Sequence, residues 1–154
     1  MQLTNAARQL KQQKIPFTYH TYEVDPSDVS AAHVARTLQK PLHHLYKTIC
    51  LENEKGEYAF FLVSGDRDID LKAAAKAWAT KKASPIPMKQ LEPLTGYVRG
   101  GVSPIGAKKR FPVFLHDAAK QQETIIISAG KRGFQIELAP DDLLRVTNGR
   151  WFTT

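Results

Sequence analysis

Lys47 sits at a position that strand periodicity marks as apolar. Alternate residues of a strand share a face, so in the run Leu45 to Leu51 the side chains of Leu45, Lys47, Ile49 and Leu51 point the same way, and three of the four are aliphatic. An ammonium in that company must meet an anion, line a cavity mouth, or reach water along its flexible stem. A second feature is the loop Arg99-Gly100-Gly101-Val102-Ser103-Pro104-Ile105-Gly106, whose adjacent glycines let bare backbone amides approach a carbonyl oxygen or a phosphate. It lacks the Lys-Ser/Thr ending of a Walker loop, and no G-x-G-x-x-G precedes a helix. A third is Ser128-Ala129-Gly130-Lys131-Arg132-Gly133, which gathers a hydroxyl, glycines and two cations within one corner. That corner suits contact with an anion and equally suits a hairpin turn with solvated charges.

The familiar catalytic constellations are missing. There is no G-x-S-x-G elbow and no H-E-x-x-H helix. His20, His33, His43, His44 and His116 show no metal-site spacing, and no metal or cofactor is expected. Cys50 falls in a predicted strand with Tyr46 and Thr48 on its face, the setting of a buried inert thiol. An enzyme built this way works by positioning and electrostatics rather than by a nucleophile of its own.

These residues need a scaffold. The 154-residue chain suits a single domain over residues 1–154, with 42% apolar and 24% charged residues. Its one cysteine excludes an internal disulfide and points to a reducing cytoplasm. No apolar run is long enough for a signal peptide core or a bilayer span. Twenty-two Lys and Arg against 15 Asp and Glu leave a formal charge of +7, which favours a polyanion such as nucleic acid. The positive residues cluster at Lys81-Lys82, Lys108-Lys109-Arg110 and Lys131-Arg132.

Periodicity and caps predict helices over Asn5–Lys14 with Asn5 as cap, from a Ser30 cap through Leu38, over Leu71–Trp78 behind Asp70, near Pro87, and from Pro140 to Asn148-Gly149. Strands are predicted over Phe17–Val24, Leu45–Leu51, Tyr58–Ser64, Tyr97–Arg99, Val113–His116, Thr124–Ser128 and Phe134–Leu138. The fold class is α+β. The expected form is a mixed, mostly antiparallel sheet curled into a barrel-like shape with peripheral helices.

Taken as a set, the motifs resemble one family, the YbaK-type deacylases, relatives of the editing domain inserted in bacterial prolyl-tRNA synthetases. The resemblance rests on His20-Thr21-Tyr22-Glu23, Tyr46-Lys47-Thr48, Asp70-Leu71-Lys72, Thr95-Gly96-Tyr97 leading into Gly100 to Arg110, and Ser128 to Gly133 followed by Ile136-Glu137-Leu138. Their order spans nearly the whole chain. The resemblance implies a cytoplasmic, free-standing enzyme that removes cysteine from cysteinyl-tRNA(Pro), and from cysteinyl-tRNA(Cys), as the substrate's thiol attacks its own ester. The implied partner is the acceptor end of aminoacylated tRNA, with prolyl-tRNA synthetase as a second candidate; neither DNA nor a membrane is expected.

By the same resemblance, Tyr22, Lys47 and Gly101 carry the chemistry, with Gly100 and Gly101 offering amides to the ester carbonyl. Thr48, Gly100, Ser103, Ser128, Gly130 and Gln135 bind the substrate, and Lys108, Lys109, Arg110, Lys131 and Arg132 hold the tRNA. Gln135 replaces the acidic residue usual in the family, and Ser27 to Thr37 fits its pattern loosely. Two alternatives stay open: a deacylase for alanyl- or seryl-tRNA that positions a water, and a non-catalytic module that binds tRNA or prolyl-tRNA synthetase.

Overall fold

Side-chain caps set most helix starts in the computed structural model, which describes residues 2–154. Helix α1 (Asn5–Gln12) is capped by Thr4, whose hydroxyl accepts from the Ala7 N–H at 3.2 Å. Asn5 instead accepts from the Arg8 guanidinium, so the expected cap lies one residue late. Helix α2 (Ala31–Leu38) starts at Ser30, whose Oγ accepts from the His33 N–H, and α3 (Leu71–Ala77) starts at Asp70, which accepts from the Ala73 N–H at 3.0 Å. Helix α4 spans Met88–Thr95 and α5 spans Pro140–Thr147. Asn148, in the left-handed region at φ 54°, ends the last of these.

The strands are β1 (Thr18–Thr21), β2 (Tyr46–Asn53), β3 (Tyr58–Ser64), β4 (Ala83–Pro85), β5 (Val113–His116), β6 (Ile125–Ser128), β7 (Phe134–Leu138) and β8 (Arg150–Phe152). They form two sheets. One is antiparallel with order β1-β7-β6; the other has order β4-β2-β3-β5-β8, antiparallel through β3 and parallel from β3 to β8. The β2–β3 hairpin pairs as the sequence predicts, Tyr46 opposite Ser64 through Glu52 opposite Tyr58.

The expected barrel does not form. The two sheets meet through one isolated bridge, Leu45 to Ile126, whereas closure needs a continuous staggered ladder. α2 occupies the ground beside that bridge, packing Val34 and Ala35 against Leu45 and Ile126. Tyr97–Arg99 is not a strand either. It lies between Gly96 at φ 81° and Gly100 at φ 84°, and the Tyr97 hydroxyl donates to the Ile105 carbonyl at 2.6 Å, so this stretch is a loop tied to its own continuation.

The main core lies between the sheets, where Tyr46, Cys50, Phe60 and Leu62 meet Ile125, Ile127, Ile136 and Leu138, with α1 and α5 closing it. The opposite face of the five-stranded sheet buries Leu51, Phe61, Val63 and Phe114 beneath α3. Alternation along β2 therefore sends Tyr46, Thr48 and Cys50 toward one side, and Lys47, Ile49 and Leu51 toward the other.

Candidate functional site

A hollow of about 300 Å³ opens where the two sheets approach each other. Its walls are the start of α2, the first half of β2, the loop after α4, and the face of the three-stranded sheet that carries Ser128 and Gln135. Lys47, Thr48, Gly100, Ser128 and Gln135, five of the residues expected at a site, line this one hollow although up to 88 positions separate them in sequence. Ser128 and Gln135 sit directly opposite each other on β6 and β7, so their side chains share a face. Gln135 is only 5% exposed.

Thr48 carries the clearest mark of an incomplete site. Its hydroxyl is buried and finds no hydrogen-bond partner among the described residues. An unpaired buried hydroxyl costs ~1–3 kcal/mol. Thr48→Val, which keeps the shape and favours a strand, is expected to stabilise the free protein by about 1 kcal/mol, raising Tm by roughly 2–4 °C. A thermal melt reads this directly; a lower Tm would mean that the hydroxyl is satisfied.

The start of α2 is the part of the site that sequence reasoning missed. Val29, Ser30, Ala31 and Val34 all line the hollow. The first intrahelical bond runs from the Val34 N–H to the Ser30 carbonyl, and His33 donates to the cap, so the earlier amides of the turn, Ala31 among them, have no carbonyl in the helix to serve. That end of the helix favours negative charge. The Ser30 cap was legible and marks such a terminus; what it faces is a matter of tertiary packing.

Other expected residues lie elsewhere. The Gly101 N–H donates to the Val98 carbonyl at 2.9 Å, closing a turn, and Gly101 packs on the Lys131-Arg132 backbone instead of lining the hollow. Ser103 is fully buried, its hydroxyl accepting from the Ile105 N–H within the loop. Tyr22 packs behind the wall, against the cluster that contains Val34 and Leu45. Gly130 and Lys131 line a neighbouring hollow, and Lys109 and Arg110 a third, with Gln9, Val146 and Thr147. Arg132 joins the site indirectly, its Nε donating to the Arg99 carbonyl at 2.8 Å.

Lys47 is half-buried at the end of its row, and its ammonium donates to the Arg67 carbonyl. Lys47 and Arg99 are the two cationic residues of the lining, which among the described residues contains no Asp, Glu, His or Cys. Cys50 is 5% exposed, and burial, with a smaller push from Glu52, raises its thiol to about 12, so it stays protonated near neutral pH. Among the described residues, no group of three or more His, Cys, Asp and Glu could hold a metal ion, and no helix is long and apolar enough to cross a membrane.

One row from Gln135 on β7, Glu137 ties the site's sheet to its surroundings. Its Oε1 meets His20 Nε2 at 2.7 Å, its Oε2 accepts from the Thr124 hydroxyl, and His44 Nε2 lies 3.6 Å from Oε2. Burial alone would raise its pKa, but the hydrogen bonds from Thr124 and His20, with the charge of Lys40, outweigh that and hold it below 4.5. A carboxylate lowered on folding contributes stability above its unfolded value, and that contribution is lost as pH falls through the folded value. Glu137→Gln is therefore expected to flatten the acid side of the Tm–pH curve below about pH 4.5. An unchanged acid slope would contradict the assignment.

The comparisons with known proteins bear on this arrangement. Residues 25–146 match the aminoacyl-tRNA editing domain, a span that holds the whole of the hollow's lining. The chain belongs to the aminoacyl-tRNA editing domain family. This editing domain is 42% identical over 150 residues, 97% of its length and 92% of the relative's, to an Enterococcus faecalis protein provisionally named Cys-tRNA(Pro)/Cys-tRNA(Cys) deacylase EbsC. In fold it is similar to a crystal structure provisionally described as a trans-editing enzyme for prolyl tRNA synthetase, with TM-score 0.79 at 22% identity, covering 97% of this chain and 96% of that one. A hypothetical protein of known structure superposes with TM-score 0.87 at 14% identity, covering 97% and 99%.

Proposed function

We propose that this editing domain is a free-standing deacylase that removes cysteine from mischarged cysteinyl-tRNA(Pro), and from cysteinyl-tRNA(Cys), by using the substrate's own thiol. The observation that carries the reading is a hollow lined by apolar side chains, two cationic residues and neutral hydrogen-bonding groups, with no acid, imidazole or thiol among the described residues to activate or replace a nucleophile. In the proposed step the cysteinyl sulfur attacks the ester carbonyl carbon and the bond from that carbon to the ribose oxygen breaks. The thiol proton ends on the ribose hydroxyl, giving a cysteine thiolactone and free tRNA. No water is consumed.

The protein's share is to fold the aminoacyl ester into a reactive conformer and to steady the developing oxyanion. In this reading the amide of Gly100, which lines the hollow near the start of α2, donates to that oxygen, while the Gly101 amide is engaged by the Val98 carbonyl. Thr48, Ser128 and Gln135 receive the aminoacyl group, and Lys47 steadies the negative backbone at the acceptor end. Tyr22 acts from behind, holding Val34 and Leu45 in the wall. Prolyl-tRNA synthetase is the proposed protein partner, since the hollow reads the aminoacyl group and leaves the choice of tRNA to a synthetase.

The test is release of labelled cysteine from cysteinyl-tRNA(Pro) with a free thiol and with the thiol alkylated. The free-thiol substrate is expected to yield thiolactone and the alkylated one to persist. Equal cleavage of both would assign the chemistry to a positioned water.

A further inference from the structure

Two hollows take residues from one hairpin, β6–β7. The turn between β6 and β7 separates the hollow described above from a second of about 250 Å³ at the start of α1, lined by Thr4, Asn5, Arg8, Gly130, Lys131 and Phe134 together with Gln2 and Leu3. On the near side of the turn, Arg132 Nε is bonded to the carbonyl of Arg99, which lines the first hollow. On the far side, Lys131 Nζ lies 5.5 Å over the Phe134 ring, itself stacked on Tyr19 at 5.6 Å. Arg8 is exposed across from Lys131. The four cations Arg99, Arg132, Lys131 and Arg8 thus form a band from one hollow to the next, and among the described residues neither lining contributes a carboxylate.

We infer that this band is the track of the single-stranded acceptor end of tRNA: the strand leaves the first hollow over the Gly130–Gly133 turn and enters the second, where Arg8 and Lys131 take its phosphates. The inference rests on the proposed function for the choice of RNA and goes beyond it in assigning Arg8 and the start of α1 to the interface. Three observations favour this track over the Lys108–Arg110 cluster. The β6–β7 hairpin lines both hollows, with Ser128 and Gln135 on the first and Gly130, Lys131 and Phe134 on the second. Gly101 packs so closely on it that an added Cβ would lie 3.3 Å from the Arg132 nitrogen. Lys109 and Arg110, by contrast, line a hollow walled by α5 and Gln9 to which no residue of that hairpin contributes.

The test is the salt dependence of equilibrium binding to uncharged tRNA(Pro), intact and trimmed of its three 3′-terminal nucleotides. R8Q/K131Q removes two exposed charges; K81Q/K82Q removes two others whose backbone amides are held by Glu54, just past the far end of β2. Single-strand phosphate contacts change the log–log salt slope by ~0.7 each, so R8Q/K131Q is expected to make the slope for intact tRNA shallower by about 1.4, roughly 7-fold between ~50 and ~200 mM salt. On trimmed tRNA its slope should match that of the unaltered protein, and K81Q/K82Q should match it on both. The track is overturned if R8Q/K131Q acts equally on the trimmed tRNA, if K81Q/K82Q has the same effect, or if the unaltered protein does not bind tRNA. Deacylation of cysteinyl-tRNA, measured separately, bears on the proposed function alone: binding as described without turnover keeps the track and removes the enzyme.

Discussion

Gly100→Ala is expected to lower kcat/KM for cysteinyl-tRNA by about 100-fold and to cost at least ~2 kcal/mol of stability, or roughly 4–8 °C in Tm. Gly100 sits at φ 84°, where an L side chain costs ~1–2 kcal/mol. Its new Cβ would lie 2.8 Å from the Cβ of Val29, at the root of a side chain that cannot swing away. Relief requires either the start of α2 or the Arg99-Gly100 loop to shift, and both are walls of the hollow. A displacement near 1 Å can cost ~100-fold in rate even when the chemistry itself is untouched. Gly56→Ala is the matching control. Gly56 has φ 74° in the β2–β3 turn and nothing within 4 Å of an added Cβ, so it should lose stability through backbone strain alone and keep full activity. Equal activity of the two variants would refute the placement of Gly100 at the site.

Lys47→Met is expected to lower kcat/KM by about 10- to 150-fold with little change in Tm. Methionine keeps an unbranched apolar stem beside Ile49 and removes only the ammonium. A hydrogen bond to a charged group is worth ~1.5–3 kcal/mol, which is that range of rate at ~1.4 kcal/mol per tenfold. One ammonium donor is committed to the Arg67 carbonyl, leaving two for the substrate. Should Lys47 hold a phosphate equally in the ground and transition states, the loss appears in KM with kcat unchanged; should it act on charge that develops during cleavage, kcat falls. Activity within twofold of the unaltered protein would make Lys47 a strand-end lysine with a structural bond to the next loop.

Much of this architecture was legible because its signals are local. Ser30, Asp70, Pro140 and Asn148 each announce a helix end through their own backbone or side chain, and each does so in the structure. β4 and β8 were invisible: each has three residues, too few for alternation, and exists only through pairing with β2 or, in parallel, with β5. The aromatic and branched side chains of Tyr97 and Val98 read as a strand, but a positive-φ glycine on each side of Tyr97–Arg99 leaves no room for a ladder. Barrel closure was expected from many short adjacent strands. It fails because α2 fills the place where β6 would have to meet β2 along its length.

The site divides the same way. Lys47 stood out as a cation on an apolar strand face, and Gly100 and Ser128 as members of loops with polar or glycine-rich chemistry; all three line the hollow. Val29, Ala31 and Val34 look like ordinary packing residues in sequence, and only the seating of α2 over β2 brings them to the hollow. Gly101 and Gly100 are indistinguishable as letters. The Gly101 bond to Val98 separates them, and that bond is a product of the folded turn.

The measurement that tests the central claim most directly is the initial rate of amino-acid release from cysteinyl-, alanyl- and seryl-tRNA(Pro) by the purified protein. The account predicts fast release of cysteine alone, because only its side chain carries a thiol that reaches its own ester. Release of alanine or serine at a comparable rate would contradict it, as would tRNA binding with all three esters left intact.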